Sequence, residues 1–250
     1  MNVFHIAWRE LRATFTTAVG WLVLCGWLLI TGLFWVLMVQ NYVSQSEDLV
    51  FNPYGAQHMN LTDWLLVPFF GNCAVVLVMV APALSMRLFS EEMKQRTLEL
   101  LMTSPVSTIE IVLGKFLGAL AFVAIMLLGT LQFPLGLLQW GSPDPGVVAG
   151  GYLGLLLLGS ALLSLGLFAS SLTSNQVVAS VLSFAVALGL LVVSWASQDP
   201  DDWYAKVSIM THLEDLMRGA IKLSDVTYYL AFTGFFLFAT HQRTESFRWR

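Results

Sequence analysis

The sequence predicts an all-α integral membrane protein: six transmembrane helices, an N-terminal interfacial helix, and a cytoplasmic helix between spans two and three. Three observations lead there. Hydrophobic residues make up 57% of the 250 and charged residues only 11%, against roughly 25% charged in an average soluble domain. Apolar runs close to the ~20 residues that a helix needs to cross the hydrocarbon core recur along the chain. The few charges fall between those runs, not inside them.

The length suits one large transmembrane domain, 1–250. Residues 1–16 place Phe4, Trp8, Leu11 and Phe15 at spacings of four, three and four, with His5, Arg9 and Arg12 on another face. That pattern predicts a helix lying in the membrane interface. The spans follow at about 19–43, 64–86, 109–138, 147–171, 177–197 and 226–240. The third is longer than a crossing requires, which predicts tilt. The fourth and fifth are joined by the short polar turn Leu172-Thr173-Ser174-Asn175-Gln176, which predicts a tight helical hairpin. The sixth is short. The first run is too long for the apolar core of a cleavable leader, and no small-residue cleavage site follows it.

An even number of spans puts both termini on one side, and the distribution of Lys and Arg says which. With the termini inside, Arg9, Arg12, Arg87, Lys94, Arg96, Lys115, Arg243, Arg248 and Arg250 are inner, and Lys206, Arg218 and Lys222 are outer. The predicted topology is therefore multi-pass with cytoplasmic termini. In the outer loop before the sixth span, Leu213, Leu216, Met217 and Ala220 follow helical spacing, interrupted by Gly219.

Several functions are disfavoured. Ionisable groups deep in a bilayer are costly and usually retained for function, and no Asp, Glu, Lys, Arg or His falls in a span interior; Lys115 and His241 sit near span ends, within snorkelling reach. A proton relay or carboxylate-coupled carrier has nothing to work with. His5, His58, His212 and His241 are scattered, and Cys25 and Cys73 lie in apolar runs, so no metal site or disulfide framework is implied. A Gly-x-Ser-x-Gly elbow is missing. Gly114-Lys115 is the nearest approach to a P-loop, but Ile109 stands where its first glycine belongs. The chain reads as a non-enzyme without catalytic residues, cofactor or metal of its own. Its net charge of −4 offers no footprint for nucleic acid.

The inner segment 87–108 concentrates charge. Leu98, Leu101 and Met102 form an apolar stripe, and Glu92 to Arg96 is a favourable i,i+4 pair. Pro105 ends that helix, and Ser107 or Thr108 starts the next one, with Glu110 in its first turn. From the residues alone, this segment is either a solvated connector or a docking helix for a soluble partner. Pro68, Pro82 and Pro134 are expected to kink their spans. Gly146, Gly150 and Gly154 repeat at the spacing that admits close helix packing.

The run Glu91-Glu92, Thr97-Leu98-Glu99-Leu100-Leu101, Ser104-Pro105-Val106-Ser107 and Glu110-Ile111-Val112-Leu113-Gly114-Lys115 resembles the signature of type-2 ABC transporter permeases. The resemblance implies a membrane subunit driven by a separate cytoplasmic ATPase dimer, where ATP and Mg bind, and paired with a second permease copy or paralogue. It also implies that 87–108 is the coupling region. Glu91, Glu92, Thr97 and Glu99 then serve as coupling residues, Leu98, Leu101 and Met102 seat the helix, Pro105 closes it, and Gly114 and Lys115 mark the junction with span three. Export is the implied activity, and a bacterial inner membrane the implied location. The alternatives are mechanotransmission to surface or periplasmic machinery and, third, an ATP-independent carrier or scaffold. Residues 211–220 and 223–230 further resemble permeases associated with gliding motility, whose relatives serve copper-enzyme maturation.

Overall fold

The computed structural model describes residues 2–51, 60–97, 106–137, 144–196 and 205–247, and no strand occurs among them. Helix α1 (Asn2–Thr16) leads into α2 (Ala18–Phe51). A π-helical turn, Thr62–Leu66, opens α3 (Val67–Ser85), which bends at Met86 into α4 (Arg87–Lys94). Then come α5 (Thr108–Thr130), the short α6 (Gln132–Gly136), α7 (Pro145–Leu172) and α8 (Gln176–Ala196). A 3-10 turn at Ala205–Val207, α9 (Ile209–Met217) and α10 (Leu223–Ser246) complete the chain.

Five helical stretches among the described residues are long and apolar enough to cross a membrane: Ala18–Glu47, Thr62–Lys94, Thr108–Gly136, Pro145–Leu172 and Gln176–Val193. They match the first five predicted spans. The helix at the predicted sixth, α10, has the length but not the composition, because Thr227, Tyr228, Tyr229, Thr233 and Thr240 dilute its apolar content.

Side-chain contacts give the helix directions. Trp27 of α2 donates from Nε1 to the Met126 carbonyl of α5, 3.1 Å away, and Leu28 lies against Gly129. These two helices therefore run the same way. Along α7, Gly151, Gly159 and Gly166 face Phe70, Leu77 and Ser85 of α3 in order, while Ser160 and Phe168 meet Thr233 and Phe236 of α10. So α3, α7 and α10 run together, opposite to α2 and α5. Helix α7 is the axis of the bundle, with 83% of its span window buried against 11% for α2 and 22% for α8.

Some of the predicted breaks are found with local causes, while Pro82 stays inside the continuous helix α3 and Pro68 lies in its first turn. The predicted third span ends its main helix at Thr130 and resumes as α6, where Pro134 cannot donate to the Thr130 carbonyl. Ser107, not Thr108, caps α5 in a reciprocal capping box with Glu110. Asn175 Oδ1 accepts from the Val177 amide at 3.0 Å, starting α8 after the predicted hairpin turn. Gly150 and Gly154 do serve close packing, since a Cβ at either would strike Leu216 or Leu213 of α9, whereas Gly146 faces only its own cap, Asp144.

Two expectations need correction. Gly219 is not inside the outer-loop helix: α9 stops at Met217, and Gly219, at φ +81°, is the left-handed residue that closes it. The apolar stripe of α1 is also divided. Phe4 and Trp8 are exposed, and the face docked on α5 is Ile6, Ala7 and Glu10.

Candidate functional site: a buried ionic junction

Helices α1 and α4 and the start of α5 converge at the end of the bundle where the basic residues lie. The approach of α1 to α5 depends on two glycines one turn apart. A Cβ on Gly114 would sit 2.6 Å from Ile6 Cβ, and one on Gly118 would sit 2.8 Å from the Ala7 carbonyl oxygen. Any side chain there would hold the backbones apart, so the glycines permit a contact that other residues forbid.

This closeness buries Lys115, which lies between the two glycines on α5. Its side chain is 2% exposed, and it does not snorkel to water as its position near a span end suggests. The ammonium donates instead to Glu92 Oε1 of α4 at 2.7 Å and to Glu10 Oε1 of α1 at 3.1 Å. Arg9 pairs with Glu10 at 3.1 Å and lies 4.0 Å from Glu92. The Phe89 ring covers the ammonium at 5.4 Å, a cation–π distance. A buried charge is tolerable only when paired and hydrogen-bonded, and Lys115 meets that condition only while all three helices stay together.

The bend between α3 and α4 is held from the other side. Ser170, near the end of α7, accepts from the amides of Phe89 and Ser90 at 2.9 and 3.0 Å and donates to the Met86 carbonyl at 2.9 Å. Ser90 Oγ donates in turn to the Ser170 carbonyl at 3.1 Å. A side chain inserted into the helix ladder is a recognised cause of a sharp bend. Ser170 thus ties the α3–α4 junction to α7.

Helix α4 begins earlier and ends sooner than the sequence suggests. It starts at Arg87 and stops at Lys94, and Thr97 N–H reaches back to the Glu92 carbonyl at 3.0 Å around Arg96, whose φ is +56°. That closure takes Arg96 off the helix, so the expected Glu92–Arg96 pair is replaced by Glu92–Lys115. Of the predicted coupling residues, Glu91, Glu92 and Thr97 line one cavity of about 530 Å³ together with Lys115 and Arg9. Gly114 is beside it as a packing contact. Leu98, Glu99, Leu101, Met102 and Pro105 lie outside the described residues.

Sequence reasoning missed Glu10 and Ser170. Glu10 is the lone acid in the first sixteen residues, a visible anomaly beside Arg9 and Arg12. Ser170 carries no comparable signal.

At the opposite end, α9 is latched to α10. His212 Nδ1 is 2.8 Å from Asp225 Oδ1, its Nε2 is 3.1 Å from the Lys206 carbonyl, and its ring stacks on Tyr228. Lys222 pairs with Asp215, whose hydrogen bond and charge push the lysine up from its usual 10.5. No group of three metal-ligating side chains occurs among the described residues.

Comparison with known proteins agrees with this architecture. No curated protein matches the chain. The family model described as ABC-2 family transporter protein matches residues 4–200, which takes in α1, the first five spans, the ionic junction and the Ser170 clamp. The chain is a multi-pass membrane protein and belongs to the ABC-2 transporter family, whose members are the membrane permease subunits of ABC transporters.

Proposed function

We propose that this permease is the membrane half of an ATP-driven exporter in a bacterial inner membrane, worked from the cytoplasm by a separate ATPase dimer and paired with a second permease copy or paralogue. Both termini are cytoplasmic in this reading, with α10 as the sixth crossing. The parallel course of α10 along α7 supports that crossing.

The observation that carries the proposal is the bridge from Glu92 through Lys115 to Glu10. Helix α4 lies at the end of the bundle with the most cations, where a soluble ATPase can press on it through Glu91, Glu92 and Thr97. Displacement of α4 pulls on Lys115 and so on α5, and through Glu10 on α1. Ser170 acts as the pivot, because it holds the α3–α4 bend to the rigid α7. Lys115 is a positioning residue in this scheme: it touches no nucleotide and transmits the movement. ATP and Mg bind in the partner.

Cargo meets uncharged walls. Clefts of about 470 and 510 Å³ flank α5 and α6 toward the far end, lined by residues such as Leu128, Leu131 and Tyr152 on one side and Trp35, Tyr42 and Phe133 on the other. The likeness of 211–230 to gliding-motility permeases bears on the branch of the family, but not on cargo chemistry.

The test is co-expression with a cytoplasmic ABC ATPase from the same genome. Co-purification and ATP turnover are compared for the native chain and for Glu91→Ala/Glu92→Ala/Glu99→Ala. Loss of assembly or of permease-dependent turnover supports docking at this segment. Unchanged assembly and turnover remove it.

A further inference from the structure

We propose that the cavity at the ionic junction binds the headgroup of a zwitterionic aminophospholipid from the leaflet at the α1 end, with a primary ammonium as the feature recognised. The cavity of about 530 Å³ is bounded by α1, the α3–α4 bend and α5. All three walls change from charged to uncharged in the same direction, apolar on α3 and α5 and threonine-lined on α1. On α1 the lining passes from Arg9 and Glu10 to Ala13 and Thr17. On α4 and α3 it passes from Glu91 and Glu92 back to Leu88 and Leu84, and on α5 from Lys115 to Ala119 and Phe122. Phe122 lies seven residues, about 10 Å, beyond Lys115 along the helix axis. Charge at one end and hydrocarbon at the other, at the depth where an interfacial helix meets the bundle, is the profile of a lipid and not of a soluble metabolite.

The charges define the headgroup. Arg9, Arg87 and Lys115 balance Glu10, Glu91 and Glu92 on the lining, so the cavity as a whole favours neither an anion nor a cation. The internal pairing is incomplete on both sides. Glu92 Oε2 is buried without a hydrogen-bond partner, while Oε1 holds Lys115. Arg87 forms no ion pair among the described residues, and the Lys115 ammonium uses two of its three donors on carboxylates. A buried acceptor without a donor is costly. A phosphate between Arg87 and the third Lys115 donor, with an ammonium N–H on Glu92 Oε2 once that carboxylate turns toward the cavity, satisfies both ends at once. A quaternary ammonium has no N–H to give, so phosphatidylethanolamine is selected over phosphatidylcholine. Phosphatidylglycerol can offer Glu92 a glycerol hydroxyl but brings no cation to set against Glu91 and Glu92, so its net negative charge disfavours it.

The inference rests on the chain being membrane-embedded with α1 at the interface, and not on ATPase docking. Its test therefore uses the permease alone. The full chain, delipidated in mild detergent, is equilibrated with equal amounts of phosphatidylethanolamine, phosphatidylcholine and phosphatidylglycerol, and retained lipid is read by native mass spectrometry. Phosphatidylethanolamine is expected to be retained about tenfold over each of the others, the scale of one charge-assisted hydrogen bond. Glu92→Gln is expected to abolish the preference over phosphatidylcholine. Arg87→Gln, which breaks no ion pair and so spares the fold, is expected to lower retention of both zwitterions about equally. Glycerophosphoethanolamine at millimolar concentration is expected not to compete. Equal retention of the three lipids, preference for phosphatidylglycerol, indifference to Arg87→Gln, or full competition by the soluble headgroup overturns the proposal. Failure of ATPase coupling in a separate assay leaves this result where it stands.

Discussion

Lys115 Nζ stands 2.7 Å from Glu92 Oε1 and 3.1 Å from Glu10 Oε1, so one buried ammonium on α5 joins the helix that precedes the first span to the helix that follows the second. Neither contact is local in sequence. A buried ion pair is weak evidence for stability as such, yet removing one partner typically costs about 3–5 kcal/mol, because the other charge is left uncompensated. The junction is thus easier to break at one point than to dispense with, a suitable property for a part that must hold three helices in register.

Ser170→Ala is expected to free the bend. Two buried amides, Phe89 and Ser90, lose their acceptor, at a cost of about 1–3 kcal/mol. Hydrogen exchange should accelerate at Phe89 and Ser90 while the middle of α7 stays protected. Unchanged protection at those amides would mean that Ser170 does not hold α4.

Gly118→Leu should undock α1. The new side chain meets the Ala7 backbone and Glu10 Cβ, not a flexible tip, and overpacking of this kind costs about 1–3 kcal/mol. Limited proteolysis within the first sixteen residues should speed up, and Gly71→Ala, where a Cβ meets nothing within 4 Å, should leave it unchanged.

Arg96 sits in the left-handed region at the end of α4. Arg96→Gly removes that strain, whereas Arg96→Val increases it, with about 1–2 kcal/mol between the two variants. The melting temperature of the purified permease should rank Gly above Val, and the reverse order would place the turn elsewhere.

The topology has a direct check. In a chain carrying Cys25→Ser and Cys73→Ala, single cysteines at His5→Cys and Ser246→Cys should react with a membrane-impermeant maleimide from the same side, and Asp215→Cys from the other. Labelling of Ser246→Cys and His5→Cys from opposite sides would remove α10 as a crossing.

The spans were legible in the sequence because long apolar runs are a composition signal, and the five long apolar helical stretches follow the first five of them closely. The limits of that signal appear at α10, where Thr and Tyr residues satisfied against α7 and α9 lower the apolar content of a helix that still packs along the bundle axis. The junction was only partly legible. Glu91, Glu92 and Lys115 stand out by family resemblance, but which charges meet depends on α1 folding back over more than a hundred residues of sequence separation. The local Glu92–Arg96 pair, which helical spacing favours, gives way because the αL turn at Arg96 ends α4 first. Gly114 and Gly118 form a small-residue repeat that foreshadows the α1–α5 contact, while Ser170 is one serine among several in α7 and acquires its role only from the bend it meets.

The most direct measurement is a double-mutant cycle on permease-dependent ATP turnover in the assembled complex, using Glu92→Gln, Lys115→Gln and the pair together. If the junction transmits movement from α4 to α5, each single variant assembles with the ATPase but loses about tenfold in turnover. The pair then loses no more than either single change, since both act on one contact. Losses that multiply in the double variant, or native turnover in Lys115→Gln, would contradict it.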